Sequence, residues 1–163
     1  MSFHGGDRYG KTGMLDFSEN VNPLGLPDSV KEALCASVSE FAYYPDPFCR
    51  DLKTALAKAE QIPKEWICFG NGAADLIYRA AFALKPKKAL LPAPTFSEYE
   101  EALRKIGCQC SFHFLQEAEQ FRLTDRILNE IQPDLDWLVL CSPNNPTGWT
   151  VGQERLIRIA QKC

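Results

Sequence analysis

The sequence lacks the patterns that mark several classes of protein. It has only two histidines among 163 residues, and its seven cysteines include no Cys-x-x-Cys pair, so neither a metal site nor a disulfide framework is expected. A formal net charge of −3 gives no basic surface for nucleic acid or an anionic membrane. No apolar run is long enough to span a bilayer, and the first residues show no secretory signal pattern. These absences predict a cytoplasmic protein with reduced thiols.

The composition and the order of predicted elements are those of a globular α/β domain. Hydrophobic residues make up 45% of the chain, and no repeat or low-complexity segment interrupts it. Strands are predicted at 66–69, 89–91, 110–115 and 137–141. Helices are predicted at 28–40, 49–60, 73–84, 97–106, 124–131 and 152–162. This alternation indicates a mostly parallel sheet. Because the last helix has no cap and no following strand, the chain is expected to be the front part of a longer protein.

The most informative segment is residues 142–148 (SPNNPTG), which follows the apolar run 137–141. Its prolines fix the backbone on either side of two adjacent amides, Asn144 and Asn145, and Gly148 permits a close turn. Ligands of open α/β sheets bind where strands end. The segment therefore predicts a binding loop, although an ordinary strand-to-helix turn uses the same residue types.

Two further segments follow predicted strands and open helices. Residues 70–75 (GNGAAD) offer small residues and free amides at a helix amino terminus, which favours an anion such as phosphate. A nicotinamide dinucleotide site would need an acidic residue at the end of the next strand, but that strand ends LLPAP at 90–94. A methyltransferase remains an alternative, although the sequence also lacks the acidic residue that such a site would need to bind a ribose.

Residues 94–99 (PTFSEY) place Phe96 where a planar ligand could stack on it. The three segments together predict a flat, phosphorylated heteroaromatic ligand.

In this order and spacing, the three segments resemble those of fold-type I aminotransferases, which depend on pyridoxal phosphate. Within that family the chain is most similar to the branch of threonine-phosphate decarboxylase and histidinol-phosphate aminotransferase. The resemblance extends from His4 to Cys163. It implies the three-layer α/β/α fold of the family's large domain, incomplete at the carboxyl end. It also implies that residues 1–47 form an amino-terminal arm and helix of the small domain, and that residues 48–163 begin the cofactor-binding domain.

The resemblance implies roles for five cofactor-binding residues. The amides of Gly72, Ala73 and Ala74 would hold the phosphate of pyridoxal 5'-phosphate at the amino terminus of the following helix. Phe96 would stack on the pyridine ring. Asn145 would donate a hydrogen bond to the phenolic oxygen of the ring.

The resemblance also implies that the active site lies at a homodimer interface. Tyr44 matches a tyrosine that reaches the cofactor phosphate of the neighbouring subunit. His4, Gly5 and Asn20 match residues that contact a phosphorylated amino acid substrate, and Asn145 would also face that substrate. Tyr44 could instead be a packed turn aromatic, and His4 could belong to a disordered tail.

Two further expectations come with the resemblance. Cis peptide bonds are expected before Pro94 and Pro146, and Tyr99 is a second candidate for the stacking ring.

The resemblance places the catalytic groups of the family beyond these 163 residues. The lysine that forms the Schiff base, the aspartate that pairs with the pyridine nitrogen and the arginines that bind carboxylate match no position here, so no catalytic residue is assigned. The chain alone is predicted to be inactive and to bind the cofactor weakly if at all. As part of a longer enzyme, a decarboxylase of threonine phosphate, which acts in cobalamin biosynthesis, is favoured over a histidinol-phosphate-type aminotransferase. A non-catalytic truncated relic or interaction module is the alternative from another class.

Overall fold

A computed structural model of the chain describes Gly6, Gly13 and residues 15–163. Three residues, His4, Gly5 and Asn20, are expected to contact the substrate but not the cofactor. Of these, His4 and Gly5 lie outside the described residues. Two compact units are distinguished, one ending at Cys68 and one running from Phe69 to Cys163. The predicted division at 47/48 concerns the domains of a longer enzyme and stays a prediction. Among the described residues, no helix has both the length and the apolar character needed to cross a membrane.

The unit that ends at Cys68 consists of short helices. These are α1 (Asp28–Ala36), a 3-10 helix (Val38–Ala42), α2 (Arg50–Glu60) and a second 3-10 helix (Lys64–Trp66). Neither α1 nor α2 has a buried residue.

Two predictions for this region are wrong. The helix predicted over 28–40 ends at Ala36, where the Ser37 N–H is shared between Ala33 O at 3.1 Å and Leu34 O at 3.2 Å and the chain tightens into a 3-10 helix. The strand predicted at 66–69 does not form. An apolar run becomes a strand only where a neighbouring backbone completes its hydrogen bonds, and no strand in the described part of the chain pairs with these residues.

Three parallel strands form the sheet of the unit from Phe69 to Cys163. They are β1 (Lys88–Ala93), β2 (Gln109–Phe114) and β3 (Trp137–Leu138), in the order β2-β1-β3. The helices of this unit are α3 (Gly72–Leu84), α4 (Ser97–Lys105) and α5 (Gln153–Lys162). Because α4 connects the parallel neighbours β1 and β2, the predicted β-α-β arrangement is confirmed.

The apolar side chains of β1 alternate between two cores. Ala89 and Leu91 pack with Leu103 of α4, whereas Leu90 packs with Ile127 and with Ile159 of α5. Successive residues of a strand point to opposite faces of its sheet, so helices cover both faces. The predicted three-layer α/β/α architecture is therefore confirmed.

One helix of the outer layer differs from its prediction. The stretch predicted as a helix over 124–131 contains a 3-10 helix, Asp125–Asn129. The carboxylate of Asp125, the first residue of this 3-10 helix, accepts hydrogen bonds from Arg155 and Arg158 of α5. This attachment to α5, together with burial of Ile127, holds the short helix against the sheet.

The strand predicted over 137–141 is regular at only two residues, and Pro92 explains why. The carbonyls of Lys88 and Leu90 accept hydrogen bonds from the β3 side, whereas the carbonyl of Ala93 accepts from the β2 side. By this alternation residue 92 faces β3. Proline has no N–H to donate, so the ladder between β1 and β3 cannot continue past Leu90.

The amino ends of β1 and β3 are joined through Asp136. Its carboxylate accepts the N–H groups of Lys87 and Lys88 at 2.8 and 3.0 Å. These two bonds, the Lys87 N–H first, lower the pKa of the Asp136 carboxyl below its ordinary value.

We predict that Asp136→Asn removes an acid-sensitive contribution to stability. A carboxyl whose pKa is depressed in the folded state stabilises the fold above its unfolded pKa of about 3.9, and this contribution is lost as pH falls through the folded pKa. The unfolding free energy, measured with urea, should therefore separate the variant from the parent most at pH 6 and least near pH 2. Asp51→Asn on exposed α2 is the control. An equal difference at all pH values would contradict the assignment.

Candidate functional site

The three predicted binding segments meet at one edge of the sheet. The loops after β1 and β3 lie side by side because these strands are parallel neighbours. Helix α3 leads into β1 through a short turn, so its amino terminus lies toward the same edge. Consistent with this, Leu76 of α3 lines an apolar cavity of about 230 Å³ together with Tyr99 of α4 and Val139.

Both glycines of the GNG segment are required by the structure. A Cβ added at Gly70 would lie 2.8 Å from Asp75 Oδ2 and from Leu76 Cγ, so only glycine allows the chain to pass this close to α3. Gly72 has a φ of +81°, which favours glycine, and a Cβ there would meet open space. The chain therefore leaves room directly above the first turn of α3.

The first turn of α3 presents two free amides. The Gly72 N–H donates to Gly70 O at 2.9 Å, whereas the N–H groups of Ala73 and Ala74 have no acceptor among the described residues. They belong to the first turn, which has no intrahelical partner. Open space, free amides and the helix dipole suit a phosphate group. The three-amide set stays a prediction, and the Gly72 N–H would have to leave Gly70 O to join it.

An acidic side chain in the same turn is neutralised locally. Asp75 Oδ2 accepts the Asn71 N–H at 2.9 Å, and Oδ1 accepts from Arg79 Nε at 2.9 Å. The Asn71 N–H and then the Arg79 guanidinium lower the pKa of the Asp75 carboxyl. This pairing reduces the repulsion that Asp75 would exert on a phosphate at the helix terminus.

Phe96 and Tyr99 are packed edge to face at the start of α4. Their ring centroids are 5.8 Å apart at an interplanar angle of 89°. Tyr99 packs against the core, and burial, followed by a hydrogen bond with the Cys141 thiol, raises the pKa of Tyr99 to about 12. Tyr99 thus supports Phe96 from the core side, so Phe96 remains the better candidate for stacking on a ligand.

The SPNNPTG loop is held by Asn144. Its Oδ1 accepts from Thr95 Oγ1 at 2.9 Å, and its Nδ2 donates to Pro94 O at 3.1 Å and to Thr147 Oγ1 at 2.9 Å. Asn145 is exposed, and its amide has no hydrogen-bond partner in the described part of the chain. Asn145 is therefore unpaired among the described residues while Asn144 is engaged within the protein, and the ligand role of Asn145 stays a prediction.

No separate role was predicted for Asn144 from the sequence. The one sequence feature that could have indicated it is the presence of two threonines, Thr95 and Thr147, in the loops that follow β1 and β3. The peptide bonds before Pro94 and Pro146 are cis, which confirms that expectation, and the bond before Pro143 is cis as well.

A second attachment, also missed in the sequence, holds the far end of the loop. Trp149 Nε1 donates to Gln120 O at 2.8 Å, and the Arg122 guanidinium carbon lies 3.7 Å from the Trp149 ring centroid. Gln120 and Phe121 both have φ of 54°, a costly conformation for residues other than glycine. This strained connection presents the Gln120 carbonyl to the indole.

Two predicted ligand contacts lie in the unit that ends at Cys68. Tyr44 is fully exposed rather than packed in its turn. Asn20 is exposed, whereas Asn22 is tied into a turn by bonds with Leu24 N and Gly25 O at 3.0 and 2.9 Å. Of the two asparagines, Asn20 is therefore the one free to bind a ligand. The roles of Tyr44 and Asn20 stay predictions, and no cluster of three or more candidate metal ligands occurs among the described residues.

Comparison with known proteins identifies a family and two groups of relatives. The model of the family "aminotransferase class I and II" matches residues 12–163. The chain is 45% identical over 150 residues to threonine-phosphate decarboxylase of Salmonella typhimurium, covering 92% of this chain and 41% of that protein. It is 36% identical over 147 residues to histidinol-phosphate aminotransferase of Desulfitobacterium hafniense, covering 86% and 41%.

A solved structure shows the same fold. Histidinol-phosphate aminotransferase from Clostridium acetobutylicum matches with a TM-score of 0.80 and 28% identity, covering 91% of this chain and 43% of that one. The chain thus spans about two fifths of the length of these relatives.

We predict that Trp149 and Arg122 are energetically coupled. Trp149→Leu and Arg122→Met should each lower the free energy of unfolding by roughly 1 kcal/mol. The double variant should lose less than the sum, with a coupling of about 0.5–1 kcal/mol. Urea denaturation followed by circular dichroism measures all four proteins. As control, the losses in unfolding free energy from Arg104→Met, in the last turn of α4, and from Trp149→Leu should simply add. If the losses from Arg122→Met and Trp149→Leu also simply add, the stacking of Arg122 on Trp149 is contradicted.

Proposed function

The chain belongs to the aminotransferase class I and II family, and we propose that it supplies the first part of an enzyme that acts on a phosphorylated amino acid. Enzymes of this family depend on pyridoxal phosphate. The observation that carries the proposal is the meeting of the α3 amino terminus with the two hydrogen-bonded loops at one sheet edge. The relatives named above act on phosphorylated substrates according to their names. Because the chain spans about 41% of their length, the activity of the whole protein is part of the proposal.

The residues of this edge suit the parts of the cofactor. The free amides of Ala73 and Ala74, joined by Gly72, would hold its phosphate. Phe96 would pack on the face of its ring, and the free amide of Asn145 would donate to its phenolic oxygen. When bound, pyridoxal phosphate accepts the electrons of the bond that breaks at the substrate's α-carbon.

The remaining roles depend on a second copy and on the amino-terminal segment. We propose that the full-length protein is a homodimer in which Tyr44 of one copy reaches the phosphate held by the other. His4, Gly5 and Asn20 would bind the phosphorylated substrate, with Asn145 beside them. The full exposure of Tyr44 and the exposure of Asn20 are compatible with these roles.

Decarboxylation of threonine phosphate is the favoured reaction. The support is the identity of 45% to a threonine-phosphate decarboxylase against 36% to a histidinol-phosphate aminotransferase. Under this proposal the product would serve cobalamin biosynthesis in the cytoplasm. Transamination is the second candidate, because the fold matches a histidinol-phosphate aminotransferase with a TM-score of 0.80, against 0.70 for a threonine-phosphate decarboxylase.

The test begins with the coding frame beyond Cys163. If it continues, the whole product is assayed for release of carbon dioxide from threonine phosphate and for transfer of the amino group of histidinol phosphate to 2-oxoglutarate. Carbon dioxide release supports the decarboxylase, and amino transfer supports the second candidate. If the frame stops and the native mass agrees, a non-catalytic role as a truncated relic or interaction module is favoured.

We predict that the 163-residue chain alone forms no specific covalent complex with pyridoxal phosphate, because no lysine here has the family's Schiff-base context. After borohydride reduction, mass spectrometry should find only scattered, substoichiometric pyridoxyl groups, and pyridoxal without phosphate should give the same pattern. Complete labelling of a single lysine by the phosphorylated form only would contradict this prediction.

A further inference from the structure

We propose that Asn144 is a positioning residue whose side-chain amide locks the loop that carries Asn145 to the loop that carries Phe96. The lock is a property of this chain. Its purpose, a constant spacing between the Asn145 donor at the edge of one planar ligand and the Phe96 ring on its face, rests on the proposed function.

The orientation of the Asn144 amide follows from its partners. Pro94 O can only accept a hydrogen bond, so the group facing it at 3.1 Å must be Nδ2. Oδ1 then faces Thr95 Oγ1 at 2.9 Å, and Thr95 must donate to it. The second Nδ2 hydrogen is directed to Thr147 Oγ1 at 2.9 Å. Both donor hydrogens and the acceptor of one half-buried amide are thus engaged.

These contacts connect the loop after β1 with the loop after β3, beyond the point where backbone hydrogen bonds join the two strands. The last ladder bond between the two strands is Val139 N–H to Leu90 O at 3.1 Å, and Pro92 cannot extend it. Beyond that point, Asn144 bonds to Pro94 and Thr95 in the loop after β1. The amide side chain therefore takes over the link where the backbone ladder ends.

The backbone of Asn144 stabilises its own loop at the same time. Its N–H donates to Trp149 O at 2.9 Å, and its carbonyl accepts the Gly148 N–H at 2.7 Å. Asn145 is the next residue in this closed turn, and Phe96 is the next residue after Thr95. Each proposed ligand-contacting side chain therefore directly follows a residue held by the lock.

Asparagine is the only small side chain that can make all three bonds. Aspartate would keep the bond from Thr95 but would place a carboxylate against Pro94 O, which has no hydrogen to donate. Alanine would remove all three bonds. Thr95→Val removes only the bond from Thr95 Oγ1 to Asn144 Oδ1, whereas Thr95→Ser keeps the hydroxyl that makes it. These two variants form a conservative pair on the opposite side of the lock.

The test is amide hydrogen exchange of the 163-residue chain, read residue by residue. In Asn144→Asp, the N–H groups of Asn144 and Gly148 should exchange about tenfold faster, because they are released by local opening. The N–H of Val139 should be unchanged. Thr95→Val should show a smaller effect of the same pattern and Thr95→Ser little effect. Asn129→Asp, an exposed change of the same charge, is the control.

Two results would overturn the proposal. Unchanged exchange at Asn144 and Gly148 in both Asn144→Asp and Thr95→Val would show that there is no lock. An equal rise at Val139 would show that Asn144 contributes only to overall stability. If Asn144→Asp does not fold, Thr95→Val against Thr95→Ser decides the question by the same criteria.

The proposed function is tested separately on the longer product that is assayed if the coding frame continues past Cys163. Equilibrium dialysis measures the affinity of that product and of its Thr95→Val variant for pyridoxal phosphate, with inorganic phosphate as competitor. Weaker binding by Thr95→Val supports both the lock and its purpose. Faster exchange in Thr95→Val with equal binding leaves the lock established and counts against this edge as the cofactor site.

Discussion

Strand β1 is the element on which the rest of its unit depends. It pairs with a parallel strand on each side, and its residues Ala89, Leu90 and Leu91 are almost completely buried, alternately toward α4 and toward α5. Both helical layers are therefore positioned by the pleat of one strand. The same strand contains Pro92, which ends the ladder toward β3 and lets the two following loops separate from the sheet.

Where the backbone ladder ends, the backbone no longer links the two loops to each other. Loops beyond the last ladder bond need other partners, and they find them in the side chain of Asn144 and in the bond from Trp149 to Gln120 O. The strained backbone at Gln120 is part of this arrangement. Nearby charge is balanced as well, since Asp75 is paired with Arg79 at the helix terminus expected to receive an anion. The result is an edge whose loops are held by side-chain hydrogen bonds, whereas the Asn145 side chain and the amides of Ala73 and Ala74 have no partner among the described residues.

The parts of the fold that follow from local pattern were predictable. The strands β1 and β2 were placed to within one to two residues at each end; β1 is a buried apolar run, and β2 is a mostly exposed edge strand in which only His113 is buried. The run at 66–69 has the same apolar character but no neighbouring strand, and the stretch at 124–131 has the helical period but is held as a 3-10 helix by α5. At 66–69 no strand of the described chain offers a pairing edge, and at 124–131 the contacts come from α5, which lies about 30 residues further on, so the local pattern could not decide either structure.

The site shows the same division. The sequence by itself determined which chemical groups are available: the small residues at the start of α3, the ring of Phe96 after β1 and the paired amides of the SPNNPTG loop after β3. Only the tertiary structure decided which amide binds within the protein and which has no partner among the described residues. The physical reason is that the partners of Asn144 come from a loop 49 and 50 residues away, and the carbonyl that holds Trp149 lies 29 residues away. Hydrogen bonds over such separations exist only after β1 and β3 have paired.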